Sequence, residues 1–316
     1  MDKIKVAILD DYQNVTYKFG NWKSLEDKIE LSIFNKYIGK DKDLDKKLKD
    51  FDVLCLMRER TPLPENLISK LTNLKLVVTS GMWNASIDLE VLKKRDIICC
   101  GTDTKANSTA ELAWSLIMIA WRRLDTEFQN MKDGNWQTTV GRGLKGHTLG
   151  ILGLGKQGIQ VANFGKAFGM KVIAWSHNLT KEDCDNLNIK YVSSTELFET
   201  SDVLTIHTKL SERTEGFIDK EKLKLMKKES VLVNTSRGPI IKEQDLINAL
   251  SNEVISCAAL DVYDIEPLPK NHRLRKMKNI ILTPHIGYVS SEAYDKFFNG
   301  YIDVINAFLI KKPINI

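Results

Sequence analysis

Short apolar runs alternate with amphipathic stretches along almost the whole chain. In the first hundred residues the runs 4–9, 29–34, 53–57, 74–79 and 97–99 have the length and content of buried strands. Between them, 43–49, 64–71 and 87–94 repeat apolar residues at helical spacing and begin at capping residues. Strands that alternate with helices predict a parallel sheet covered on both faces.

A longer helix is expected over 108–124, apolar nearly all the way round. Such a helix must be buried. With Trp114, Trp121 and Trp136 nearby, an inter-domain seam and a subunit interface are both expected to cover it. The alternation restarts at His147. Runs at 148–152, 171–175, 203–207, 230–233, 255–260 and 280–282 give six strands, the number of a doubly wound dinucleotide-binding domain. The tail, 291–309, reads as one amphipathic helix that returns to the first domain and makes it discontinuous in sequence. The expected architecture is therefore α/β, with two doubly wound parallel sheets. The first domain takes 1–103 and 288–316, and the second, inserted domain takes 104–287.

A chain of 316 residues is long enough for two ordinary cores, and its net charge of +5 is spread over lysines interleaved with acids, as in 41–50. That pattern belongs to solvated helix faces and disfavours a nucleic-acid partner. The opening residues read as a first strand rather than a signal peptide. The most apolar stretch, 112–121, is about half of the ~20 residues a membrane span needs. Five cysteines without paired spacing, and five scattered histidines, suggest reduced thiols in the cytoplasm and no metal site.

The candidate chemistry begins at Gly153-x-Gly155-x-x-Gly158, which follows a strand and opens a helix. In that context the first glycine makes the tight turn and the second admits a pyrophosphate to the backbone amides. The third lets helix pack on strand, and the helix N-terminus favours the anion. Lys156 and Gln157 lie inside the motif and join the expected cofactor contacts. The next strand ends Trp175-Ser176-His177-Asn178, with Lys181 close by, where a carboxylate would bind a ribose diol. A hydroxyl, an imidazole, an amide and a lysine suit a 2′-phosphate better, so NADP is favoured over NAD. Three more strands end near Arg237, Glu266 and His285. A guanidinium can bind a carboxylate and polarise the adjoining carbonyl. An imidazole can give a proton to the oxygen as hydride reaches the carbon, and a carboxylate can hold that imidazole in one tautomer and favour its acid form. Singly, each of these residues has an ordinary structural reading. Together, behind a nucleotide fingerprint, they point to reduction of a 2-oxo acid.

The segments Leu144-Lys145-Gly146-His147-Thr148-Leu149-Gly150-Ile151-Leu152-Gly153-Leu154-Gly155, Val233-Asn234-Thr235-Ser236-Arg237-Gly238, Ala258-Ala259-Leu260-Asp261-Val262-Tyr263-Asp264-Ile265-Glu266-Pro267 and Thr283-Pro284-His285-Ile286-Gly287 carry a resemblance over nearly the whole chain. In order and spacing they resemble the D-isomer-specific 2-hydroxyacid dehydrogenases, including glyoxylate/hydroxypyruvate reductases and phosphoglycerate dehydrogenases. The resemblance implies a Rossmann cofactor domain inserted in a flavodoxin-like substrate domain, with the active site in the cleft. It implies Arg237, Glu266 and His285 as the catalytic set, Asp261 on the nicotinamide carboxamide, and Thr109 near the cofactor. Thr235 and His207 complete the expected cofactor set. It also implies a homodimer built around the long helix. On the substrate side it implies carboxylate binding by backbone amides of Ser80-Gly81-Met82-Trp83, with Trp83 reshaping the pocket, and Arg58 turned toward a distal anionic group. The missing acid at the ribose position and Lys209 in place of a proline depart from the pattern.

The expectation is thus a cytoplasmic NAD(P)-dependent oxidoreductase acting on a small 2-oxo or D-2-hydroxy acid, with no appended regulatory domain. The alternative from another class is a cofactor-sensing, corepressor-like binding protein on the same fold, which an intact Arg–Glu–His set disfavours. Formate oxidation is disfavoured too, because it needs no proton relay and those members carry glutamine at the position of Glu266.

Overall fold

The computed structural model describes residues 3–40, 42–103 and 108–316. The chain divides into two compact units, Met1–Ala106 with Val289–Ile316, and Asn107–Tyr288.

The first unit holds strands β1 (Ile4–Ile8), β2 (Ile29–Ile33), β3 (Val53–Leu56), β4 (Leu76–Thr79) and β5 (Ile98–Gly101). They pair parallel in the order β2-β1-β3-β4-β5, the flavodoxin-like arrangement. Every residue of β3 and β4 is buried, which explains their unbroken apolar sequence. The helix Ser291–Leu309 has the limits its periodicity predicts. Ser290 caps it by accepting from the Ala293 amide. It buries Phe297, Phe298 and Tyr301, and the Tyr301 hydroxyl donates to the Leu56 carbonyl at 2.8 Å. A Cβ at Gly300 would lie 2.8 Å from the Thr102 side chain, so the glycine permits close seating of the helix there.

The second unit holds β6 (Thr148–Leu152), β7 (Lys171–Trp175), β8 (Lys190–Tyr191), β9 (Val203–Ile206), β10 (Val231–Asn234), β11 (Cys257–Leu260) and β12 (Ile280–Leu282). Their order is β12-β11-β10-β9-β6-β7-β8, all parallel, a doubly wound sheet with one strand more than the six expected. The extra strand, β8, is a two-residue edge beginning at an exposed lysine, too short to leave a periodic trace.

The long helix spans Ser108–Arg122 and ends at Arg123, whose φ of 57° reverses the chain. Its Ala110, Ala113, Leu116, Ile117, Ala120 and Trp121 are buried in the cluster that holds Leu149, Ile151 and Val233. Its own sheet covers that face. Glu111 and Ser115 are exposed, so the apolar surface is a stripe and not a full circumference. A second helix, Leu124–Lys132, follows with no buried residue; its largely polar sequence hid it from periodicity. Among the described residues no helix is long and apolar enough to cross a membrane, and no group of His, Cys, Asp or Glu has metal-site geometry.

Candidate active site

Parallel strands deliver their following residues to one edge of the sheet, and the sequence-predicted residues of the second unit stand at that edge. After β12, the turn Thr283-Pro284-His285-Ile286-Gly287 is held by Asp261, which follows β11 and is fully buried. One oxygen of Asp261 accepts from the Thr283 hydroxyl at 2.6 Å and the Ile286 amide at 2.8 Å; the other accepts from the Gly287 amide at 2.8 Å. Burial pushes the Asp261 carboxyl above the usual carboxylate range, against the pull of these donors and of nearby His285. Thr109, expected near the cofactor, donates to the Gly287 carbonyl at 2.9 Å. His285 has φ +52°, a left-handed conformation that this web of bonds imposes on a residue with a side chain.

His285 Nδ1 lies 2.6 Å from Glu266 Oε2. The other Glu266 oxygen accepts the Tyr263 amide at 2.9 Å, and the Tyr263 hydroxyl donates to the Thr283 carbonyl at 2.7 Å. The carboxylate is thereby fixed, and with Nδ1–H directed at it, Nε2 is the nitrogen left for chemistry. Arg237 follows β10, partly buried, with Nη1 donating to the Ser236 carbonyl at 2.7 Å. Asn234 staples this turn, donating to the Arg237 carbonyl at 2.9 Å and accepting from the Ser236 amide at 3.0 Å. A Cβ at Gly238 would lie 2.2 Å from the Tyr263 backbone, so only glycine lets the arginine turn rest against the segment that carries Glu266. In the sequence Asn234, Ser236 and Tyr263 stand out only as parts of motifs; their structural work follows from contacts that the sequence does not spell out.

The glycine motif has the form a pyrophosphate requires. Gly153 has φ +99° and sits where a Cβ would meet the Thr208 amide nitrogen at 2.5 Å, and a Cβ at Gly158 would meet the Gly153 carbonyl oxygen at 2.2 Å. Around Gly155 no atom lies within 4 Å of a Cβ position, which leaves open space at the mouth of helix Lys156–Ala167. No side chain caps that helix, so its first amides are available to an anion. Gln157 Oε1 and Thr235 Oγ1 are buried and have no hydrogen-bond partner among the described residues. Open space, uncapped amides and unsatisfied polar atoms fit a dinucleotide. His207 has Nε2 2.9 Å from Thr205 Oγ1, and burial lowers its pKa to about 4, so it is a neutral ring at pH 7.

At the end of β7, Ser176 is half-buried while His177 and Asn178 are exposed. Lys181 pairs with Asp185 at 2.7 Å.

In the first unit the loops after β3 and β4 are latched together. The Arg58 amide donates to Ser80 Oγ at 2.8 Å, its guanidinium donates to the Ser80 carbonyl at 3.0 Å, and Asn84 donates to the Arg58 carbonyl at 2.7 Å. Gly81 spends its amide on Thr102 Oγ1 at 3.0 Å, whereas the amides of Met82 and Trp83 meet no acceptor among the described residues. Both side chains are exposed.

Residues 114–287 match the family described as D-isomer specific 2-hydroxyacid dehydrogenase, NAD binding domain. The hydroxypyruvate reductase of Thermotoga maritima is 34% identical over 85% of this chain and 88% of its own length. The glyoxylate reductase of Aeropyrum pernix is 37% identical over 72% of this chain and 71% of its own. The D-3-phosphoglycerate dehydrogenase of Methanocaldococcus jannaschii is 36% identical over 79% of this chain, which spans 48% of that relative's length. Among solved structures, a phosphoglycerate oxidoreductase from Vibrio cholerae O395 superposes with a TM-score of 0.92 at 35% identity, covering 98% of this chain and 99% of that one.

Proposed function

Because the chain belongs to the D-isomer-specific 2-hydroxyacid dehydrogenase family, we propose that it reduces a small 2-oxo acid of the glyoxylate or hydroxypyruvate kind to the D-2-hydroxy acid. The observation that carries this reading is the 2.6 Å contact between His285 Nδ1 and Glu266 Oε2. It leaves Nε2 as an oriented proton donor at the sheet edge that also carries the glycine turn.

Arg237 binds the substrate carboxylate and polarises the neighbouring carbonyl through its planar fork of donors. His285 delivers a proton from Nε2 to the carbonyl oxygen, and in the reverse direction takes it back from the hydroxyl. Glu266 stabilises the imidazolium and holds the ring in place. A bound nicotinamide supplies the hydride. Gly153, Gly155 and Gly158, the amides that open helix Lys156–Ala167, Gln157 and Thr235 hold the dinucleotide. Asp261, whose oxygens are taken up by the 283–287 turn, acts first by aiming His285. In the first unit, the amides of Met82 and Trp83 are open donors, and the Arg58 guanidinium braces their loop through the Ser80 carbonyl.

The favoured cofactor is NADP, since the end of β7 carries Ser176, His177 and Asn178 and no acid. The chain works as a homodimer. Five free cysteines, four of them buried, suit the reducing cytoplasm.

The test is loss of nicotinamide absorbance with purified protein, NADPH or NADH, and a panel led by glyoxylate and hydroxypyruvate. Turnover with a 2-oxo acid is expected. Tight dinucleotide binding with no turnover across the panel would count against the substrate assignment.

A further inference from the structure

The loop after β9 brings to the end of β7 a cation that is remote from it in sequence. This loop is braced from within. The Thr214 hydroxyl donates to the Lys209 carbonyl at 2.7 Å and accepts from the Ser211 amide at 2.8 Å, and the Thr214 and Glu215 amides both donate to the Ser211 carbonyl. It is also pinned to the end of β7. Phe217 stacks on Trp175 with ring centroids 5.4 Å apart and an interplanar angle of 13°, and meets His177 edge-on at 5.2 Å. From this fixed base Arg213 extends into solvent, and its Nη2 donates to Asn178 Oδ1 at 3.2 Å.

Two other cations of these segments are already engaged. Lys181 pairs with Asp185 at 2.7 Å, and Lys222 lies over the Phe217 ring at 4.5 Å with Asp219 at 3.8 Å. Arg213 has no carboxylate partner among the described residues, and its one hydrogen bond goes to a neutral amide. No acid therefore neutralises it where it meets Asn178, two residues beyond Ser176.

We propose that Arg213 is the residue that selects a 2′-phosphorylated dinucleotide, with Ser176 and Asn178 completing the pocket for the phosphate. The assignment rests on the dinucleotide-binding reading above. A 2′-phosphate is dianionic near neutral pH and presents three acceptors, which a planar guanidinium meets with parallel donors. When the phosphate arrives, Arg213 exchanges a neutral acceptor for a charged one, and the Asn178 side chain is free to turn its NH2 group to the phosphate. A ribose diol offers Arg213 no such exchange, so the residue contributes to one cofactor and little to the other. The position also explains why the end of β7 alone gives an incomplete reading of preference: the deciding charge comes from 35 residues away.

The experiment is an equilibrium titration by intrinsic tryptophan fluorescence, without substrate. Wild type, Arg213→Met and Arg213→Lys are each titrated with NADPH, NADH, 2′,5′-ADP and 5′-AMP. Arg213→Met should weaken NADPH and 2′,5′-ADP by about tenfold or more, the scale of one charge-assisted hydrogen bond, and leave NADH and 5′-AMP within about twofold. Arg213→Lys should recover part of the loss, since the charge stays and the fork goes. Retained NADH binding shows that the variant is folded. Unchanged NADPH affinity in Arg213→Met, with wild-type binding intact, overturns the proposal alone. Equal losses for phosphorylated and unphosphorylated ligands also overturn it, since they mean that the arginine packs on the adenine. If wild type binds none of the four, the dinucleotide reading falls and the proposal with it.

Discussion

His285 combines two demands in one residue: an imidazole for proton transfer and a left-handed backbone, φ +52°. Asparagine tolerates that conformation better than alanine, so His285→Asn removes the proton donor with least disturbance to the turn. Turnover should fall by a factor on the order of 10² or more while dinucleotide affinity holds. Near-wild-type turnover would remove His285 from its role. His207 gives a second test at this scale. Burial depresses its pKa to about 4, below the ~6.5 of an unfolded histidine, so the unfolded state binds the proton first as pH falls. Its contribution is complete above about pH 6.5 and is lost toward pH 4. A His207→Gln variant should lose less thermal stability than wild type between pH 7 and 4.5, measured by melting temperature; parallel pH profiles would contradict that. The pairing of Glu266 with His285 was legible in the sequence, because a carboxylate and an imidazole have a chemical reason to meet. The bond from the Arg58 guanidinium to the Ser80 carbonyl at 3.0 Å was not, because its partner lies 22 residues away and has no signature. The contact between Arg213 and Asn178 escaped for the same reason.

The strands were legible because a doubly wound sheet buries both faces and its strands become plain apolar runs. Helix Ser291–Leu309 was legible from its amphipathic period and capping serine. Two elements were not. Strand Lys190–Tyr191 has too few residues to show alternation, and helix Leu124–Lys132 buries nothing that would mark one face as apolar. The glycine turn and the helix it opens form the element most sensitive to change. A methyl group at Gly158 meets the Gly153 carbonyl oxygen at 2.2 Å, and neither side is a flexible side chain that could give way. Gly158→Ala should cost about 1–3 kcal/mol, the range for overpacking, seen as a melting temperature several degrees lower. NADH and NADPH affinity should fall together, because the pyrophosphate seat moves. A melting point and affinities equal to wild type would mean that the helix can shift without loss.

At the scale of the molecule, the helix Leu124–Lys132 and the segment after it expose Phe128 (57%), Met131 (61%), Trp136 (74%) and Val140 (95%). Single exposed apolar residues are ordinary, but four within thirteen positions suit contact with a second copy. Light scattering should give twice the mass of the 316-residue chain, and Phe128→Ser with Trp136→Ser should give the single mass; a monomeric wild type would end the homodimer assignment. The divided first unit has a consequence in time. Its strands β1 to β5 leave the ribosome early, but Phe297, Phe298 and Tyr301, which lie against them, are made only after all of Asn107–Tyr288. At about 5–20 residues per second, the roughly 180 intervening residues impose a wait of some 10–40 s. For that interval the nascent chain carries an open apolar sheet face that a chaperone can hold, while the nucleotide domain is free to fold first.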